Sequence, residues 1–238
     1  IYKVVGRGTE AMAVMTAGKE LDILTGLGNG YDTSLSGGKP VLLGGGVGVP
    51  PLYMLCKQLI KEGRIHAVEL FNGFEWYPKV LDWFDEYKLP MMANSDIHET
   101  SRFAYGSQIR PMTLVFAKEN SAKAVRKALE KRMTLAYCAG HIAGDAALLQ
   151  DFFKASVSCK FLAYGKKGRA THALTNNTSI GYKLRIGRKE MVLPPFQTIT
   201  ITLNKGKDGK DKDVTFQVAN MWEVGYKNPT IIYKSSAK

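Results

Sequence analysis

Cysteine, histidine and long apolar runs are the scarce commodities of this chain, and each scarcity excludes something. Its three cysteines, Cys56, Cys138 and Cys159, are odd in number, far apart and without paired spacing. That pattern argues against a disulfide framework, a structural zinc site or an iron–sulfur cluster, and makes a reducing, cytoplasmic compartment the default. Only four histidines are present, His66, His98, His141 and His172, and none precedes His66. No apolar stretch is long enough to cross a bilayer, so no membrane partner is expected. The opening Ile1-Tyr2-Lys3-Val4-Val5 reads as a strand, not as a signal peptide. What remains is an ordinary globular composition, 45% hydrophobic over 238 residues, enough to bury one large core or two smaller ones.

The formal charge of +12 is unevenly placed. From Ser156 to Lys238 there are 15 Lys and Arg against 5 Asp and Glu, whereas the first 155 residues hold 18 against 16. The basic character therefore belongs to the tail. Its simplest reading is a set of solvated strand faces and turns, with Lys205 to Lys212 as one polar hairpin loop. Aromatic residues are not interleaved with the charges as a base-stacking surface requires, which argues against nucleic acid as a partner. A non-catalytic module attracted to an acidic surface is the alternative reading of the tail.

Two motifs carry chemistry. Asp96 and His98 follow the apolar run Leu89-Pro90-Met91-Met92-Ala93, and strand alternation places both on one side while Ile97 turns away. Carboxylate and imidazole on one rim suit a divalent cation such as zinc or manganese, though two ligands alone hold an ion weakly. Glu69 and Asn72 end another apolar strand near the same rim and are candidates to support those ligands, although Glu69 could equally pair with Arg102 or Arg110. The second motif, Gly44-Gly45-Gly46-Val47-Gly48-Val49-Pro50-Pro51, joins a short strand to a helix, as a phosphate-cradling loop does.

Three zones follow along the chain. Strands are expected at 1–5, 20–25 and 40–43, then a helix from Leu52 to Glu62 with Leu52, Leu55, Cys56, Leu59 and Ile60 on one face. From about Arg64 to Ala155, strands alternate with helices, the rhythm of an α/β layer structure with a largely parallel sheet. Beyond that, six short strands separated by Gly, Asn, Pro and Lys clusters read as a C-terminal antiparallel β sandwich.

Residues from about 64 onward resemble the C-terminal part of a Polymerase and Histidinol Phosphatase (PHP) phosphoesterase with a β-rich extension. The resemblance rests on Ala67 to Gly73, Met91 to His98, Arg110 to Glu119 and Lys127 to Tyr137. It implies a partial distorted α/β barrel, a phosphoester small-molecule substrate, and Asp96 and His98 as the last pair of a metal cluster. The family's opening His-x-His strand and bridging carboxylate have no counterpart here, so hydrolysis is expected to be lost or impaired.

Residues 1 to about 63 resemble part of the electron-transfer subunit of dihydroorotate dehydrogenase, in the ferredoxin reductase group. Tyr2 to Glu10, Leu21 to Asp32 and Leu43 to Pro51 carry this likeness. It implies Gly8 and Thr9 as flavin contacts, and Gly44, Gly45, Gly46 and Gly48 at a nucleotide phosphate. Under this alternative the partner would be the dehydrogenase's catalytic subunit. The family's Arg-Pro-x-Ser flavin motif and its cysteine quartet are absent, so FAD is a matter of ancestry and is not expected to stay bound. The domain division expected from both likenesses is a flavin-barrel-like fragment at 1–39 and an α/β domain at 40–155, its first 24 residues a borrowed strand-loop-helix. A β sandwich at 156–238 completes it.

Overall fold

The computed structural model describes residues 4–24, 26, 30–35, 37–38, 40–42, 49–97, 104–105, 108–206 and 208–235. The chain divides into two compact units, Ile1–His66 and Ala67–Lys238.

In the first unit the described elements are helix α1 (Arg7–Ala13), a single 3-10 turn at Thr33–Leu35 and helix α2 (Val49–Lys61). The described parts of the three expected strands, 4–5, 20–24 and 40–42, are not strands. A strand needs a neighbour to take its backbone groups, and around Val5 those groups bond locally instead. The Thr9 hydroxyl accepts from the Val5 N–H at 2.6 Å and donates to the Gly6 carbonyl at 3.1 Å. The Glu10 N–H reaches the same Gly6 carbonyl at 3.0 Å, so the segment turns into α1. The expected helix does form. Leu59 and Ile60 are buried on α2, with Leu52, Leu55 and Cys56 half-buried beside them. Gly63, at φ +67°, ends it by returning its N–H to the Ile60 carbonyl, a conformation that costs glycine little.

The second unit is a β-rich α/β structure whose described sheets do not close into a barrel. Strand β1 (Val68–Asn72) pairs in parallel with β3 (Met91–Asn94) through helix α3 (Val80–Glu86), and the two-residue β2 (Glu75–Trp76) turns back along β1. After the short hairpin β4–β5 (Ala104–Tyr105, Gln108–Ile109) comes β6 (Met112–Val115), helix α4 (Ala122–Glu130), then β7 (Thr134–Cys138) and β8 (His141–Gly144). The sequence rhythm suggested a largely parallel sheet. The pairing is mostly antiparallel instead, because Ala139 and Gly140, at φ +48° and +83°, form a two-residue turn that folds β8 straight back on β7.

Helix α5 (Ala146–Ser156), capped by the Asp145 carboxylate on the Ala147 and Leu148 N–H groups, runs without a loop into β9 (Val157–Tyr164). The remaining strands are β10 (Ala170–Asn176), β11 (Tyr182–Ile186), β12 (Lys189–Leu193), β13 (Thr198–Leu203), β14 (Val214–Val218), β15 (Met221–Trp222) and β16 (Thr230–Tyr233). They build antiparallel sheets in the orders β13-β10-β9 and β12-β11-β14-β16, while β15 adds in parallel to β8.

Two clusters of buried side chains fill this unit. One joins Leu70, Phe71, Leu81, Phe84 and Met91 to Ala136, Cys138 and Ala143. The other joins Leu135, Tyr137, Ile142, Leu149 and Phe153 to Val157, Leu174, Tyr182, Phe216 and Ile231 of the later strands. The second cluster spans the 155/156 division that the residue pattern suggests. α5 covers the β-rich part with its own apolar stripe, so the core does not part there.

Candidate functional site

The carboxyl ends of β1 and β3 gather the polar residues expected there. Plain alternation would point Glu69 and Asn72 to opposite faces, but the β1–β3 register slips between Glu69 and Phe71. The slip brings the two side chains together, and the Asn72 amide donates to Glu69 Oε2 at 3.0 Å. From β3, Asn94 Nδ2 donates to Glu69 Oε1 at 2.5 Å. The half-buried Glu69 carboxylate is thus held by two amides.

Asp96 stands just past β3 in the left-handed region, at φ +51°. Gly73 lies against it, close enough that a Cβ there would sit 3.5 Å from Asp96 Cβ. The Gly73 N–H is fixed to the Asn94 carbonyl at 3.0 Å. A third carboxylate, Glu75 on β2, accepts from the Tyr77 hydroxyl at 2.6 Å. That hydrogen bond, then burial, then the negative charge of Glu75, Glu69 and Asp96, push the Tyr77 phenol up to about 12. One phenol thus responds to the charge of all three acids.

Behind the rim stands an aromatic wall. The Trp76 ring lies 5.5 Å from Phe71, 5.2 Å from Trp222 and 6.1 Å from His141, centroid to centroid. Trp222 Nε1 donates to His141 Nδ1 at 3.0 Å. Burial, and secondarily the charge of Lys183, lower the His141 pKa from its ordinary value. A neutral imidazole there can keep Nδ1 as the acceptor.

Of the residues singled out from sequence, Glu69, Asn72 and Asp96 meet here. His98, and Gly44, Gly45, Gly46 and Gly48 of the glycine loop, lie outside the described residues. Gly8 and Thr9 sit in α1 of the first unit, in a helix instead of the expected strand and turn. Sequence reasoning missed Asn94, Glu75, Tyr77 and the Trp76–His141–Trp222 wall. Asn94 had a signal, standing two residues before Asp96 at a strand end. The wall had none, since its members are joined only by the fold.

Among the described residues no three His, Cys, Asp or Glu side chains converge to hold a metal ion. Among the described residues the rim therefore does not by itself make up the multi-ion cluster of a metal-dependent hydrolase, although Glu69, oriented by two amides, keeps lone pairs for a ligand.

The site and fold place this unit with β-rich α/β proteins that gather acids at strand ends, and comparison with known proteins sharpens that placement. A crystal structure of a two-domain protein from Bacteroides vulgatus, described as containing a predicted PHP-like metal-dependent phosphoesterase, is similar over 74% of this chain and 55% of its own. Its TM-score is 0.68 and its identity 30%. Curated sequences give a different likeness. The electron transfer subunit of dihydroorotate dehydrogenase B (NAD(+)) from Enterococcus faecalis is 54% identical over 65 residues, 26% of this chain and 25% of that protein. The subunit of the same name from Fusobacterium nucleatum is 52% identical over 90 residues, 37% of this chain and 34% of its own length. The chain thus spans about a quarter to a third of these curated relatives. No family model matches it. Its resemblance is that of a hybrid, with the first 63 residues like the electron-transfer subunit and the remainder like the phosphoesterase.

Proposed function

We propose that the portion from about residue 64 onward descends from a metal-dependent phosphoesterase of the PHP lineage, with small-molecule phosphoesters as its ancestral substrate class. Asp96 and His98 are the surviving metal ligands in this reading, and Glu69 and Asn72 brace the rim beside them. The observation that carries it is the meeting of Glu69, Asn72, Asn94 and Asp96 at the carboxyl ends of β1 and β3, in a unit similar to a solved protein bearing that description. Residues 1–238 by themselves are proposed to be hydrolytically impaired, since residues 1–65 contain no histidine to act as an opening ligand.

The test is metal content and turnover of a chromogenic phosphodiester in the unmodified chain, Asp96→Ala and His98→Ala. Weak zinc or manganese binding lost in both variants, with negligible turnover throughout, is the expected result. Unchanged metal binding in both variants removes the ligand assignment. Robust turnover abolished by Asp96→Ala shows that a working set of ligands is present after all.

The 54% identity to an electron transfer subunit favours a second reading for the first unit, a flavin-linked fragment contacting FAD through Gly8, Thr9 and the glycine loop. Its partner would be the dehydrogenase catalytic subunit. About three quarters of the Enterococcus relative lies outside the match, so flavin is not expected to be retained. Stoichiometric flavin absorbance in the purified protein would establish the redox reading instead.

A further inference from the structure

The basic residues of the tail, scattered in sequence, converge at one end of the β-rich region. β10 pairs with both β9 and β13 so that Ala170 faces Tyr164 on one side and Leu203 on the other. The turn after β9, residues 165–169, therefore lies beside the described part of the loop after β13, residues 204–206 and 208–213. Side chains confirm the contact: a Cβ on Gly168 would lie 3.3 Å from Lys205 Cε, Lys205 Nζ sits 5.8 Å over the Tyr164 ring, and the Tyr164 hydroxyl donates to Asp211 Oδ2 at 2.5 Å. The same loop leads into β14, whose first residue Val214 pairs with Tyr233, bringing Lys234 to this end. Antiparallel pairing of β11 with β14, Leu184 opposite Val218 and Arg185 opposite Gln217, carries the β11–β12 turn to the same end with Arg188 and Lys189.

Among the described residues nine exposed cations result: Lys166, Lys167, Arg169, Arg188, Lys189, Lys205, Lys210, Lys212 and Lys234. Four acids stand among them, outnumbered by the cations, and one of the four pairs with Lys234 of the nine. Asp208 accepts the Lys210 N–H, Asp211 holds Tyr164, Asp213 takes Lys234 and the Ser235 N–H, and Glu190 pairs with Arg185.

We propose that this end of the β-rich region binds the phosphate backbone of duplex nucleic acid without reading its sequence. Backbone neutralisation needs clustered, solvated cations and no stacking platform. The lack of interleaved aromatics therefore counts against base stacking and leaves backbone binding open. Tyr164, the aromatic ring at the site, has its hydroxyl bound by Asp211 and Lys205 over its face, which favours a duplex over unstacked bases. The turns themselves carry no exposed large apolar side chain for insertion into a lipid surface.

Fluorescence anisotropy of a labelled random duplex of about 20 base pairs tests this, at salt concentrations from about 50 to 200 mM. With about six cations engaged, log K should fall against log salt with a slope of about −5. Replacing Lys166, Lys167, Lys210 and Lys212 by Gln should shallow that slope by about 3 to 4. The control pair Lys123→Gln with Lys127→Gln, on α4, should leave it unchanged, and near-ultraviolet circular dichroism should show every variant folded as the parent. No duplex binding at low salt would overturn the proposal, as would an unchanged slope in the quadruple variant. Tighter binding to a single strand or to phosphatidylserine vesicles than to duplex would also overturn it.

Discussion

One hydroxyl satisfies both backbone groups of a residue in another strand: Thr113 Oγ1 accepts from the Ala93 N–H at 2.9 Å and donates to the Ala93 carbonyl at 3.0 Å. Ala93 is 2% exposed and lies on β3, at the margin of the β2-β1-β3 sheet. A threonine on β6 thus takes the place of a missing neighbouring strand and fastens two separate sheets.

Thr113→Val keeps the shape and removes the hydroxyl, stranding two buried backbone groups. It should lower stability by about 1–3 kcal/mol in chemical denaturation, with Thr113→Ser losing much less. A stable Thr113→Val beside a destabilised Thr113→Ser would mean that the methyl packing, and not the hydroxyl, matters at this position.

The raised Tyr77 phenol offers a direct reading of the acidic rim. Glu75→Gln removes the largest cause and should bring the Tyr77 midpoint down from about 12 toward 10. Glu69→Gln and Asp96→Asn should lower it less. Carbon-13 resonances of labelled tyrosine, followed against pH, report the shift, and no response to Glu69→Gln or Asp96→Asn would disperse the cluster.

His141 links pH to stability because burial, and secondarily the charge of Lys183, disfavour its protonated form. Its folded pKa lies below the ordinary 6.5, so the unfolded chain takes up the proton first as pH falls. Stability contributed by this group is therefore present above pH 6.5, declines as pH drops through that value, and levels off below the folded pKa. His141→Gln should flatten that part of the profile. Lys183→Gln, which removes the lesser cause, should lessen the dependence without abolishing it, since burial is the larger cause.

Residues 156–238 alone form an independent sandwich by residue pattern, yet the structure gives their core to shared partners. Leu135, Ile142, Leu149 and Phe153 are fully buried against Val157, Tyr182 and Phe216, with the Phe153 ring 4.8 Å from Tyr182 and 5.6 Å from Phe216. Expressed by itself, the segment should be aggregated or melt without cooperativity, while residues 67–238 should unfold in one sharp transition. A cooperative melt of the shorter piece would restore the boundary at 155/156.

How much of this was legible in the sequence depends on the range over which each feature is decided. α2, α4 and α5 are local, set by apolar spacing and, for the last two, by Ser121 and Asp145 as caps, so residue pattern was enough. Rim residues Glu69, Asn72 and Asp96 were also visible, because strand ends carry them. The strands expected before residue 44 were not realised, for an apolar alternating segment is a strand only if another strand lies beside it. Antiparallel β6, β7 and β8 were hidden for a related reason: the α/β rhythm is the same whether a chain returns parallel or not, and the tight turn at Ala139–Gly140 decides it. The basic end and the Trp76–His141–Trp222 wall depend on pairings across 40 residues or more, which spacing alone does not encode.

Arg64 stands where the two likenesses meet, and its guanidinium reaches back to the carbonyls of Thr33 at 3.2 Å and Gly37 at 2.7 Å as well as to Glu62. Main-chain carbonyls are present whatever side chains precede them. Arg64 and these partners all lie within the first unit, so a fastening made to main-chain carbonyls should tolerate side-chain change in the segment it grips.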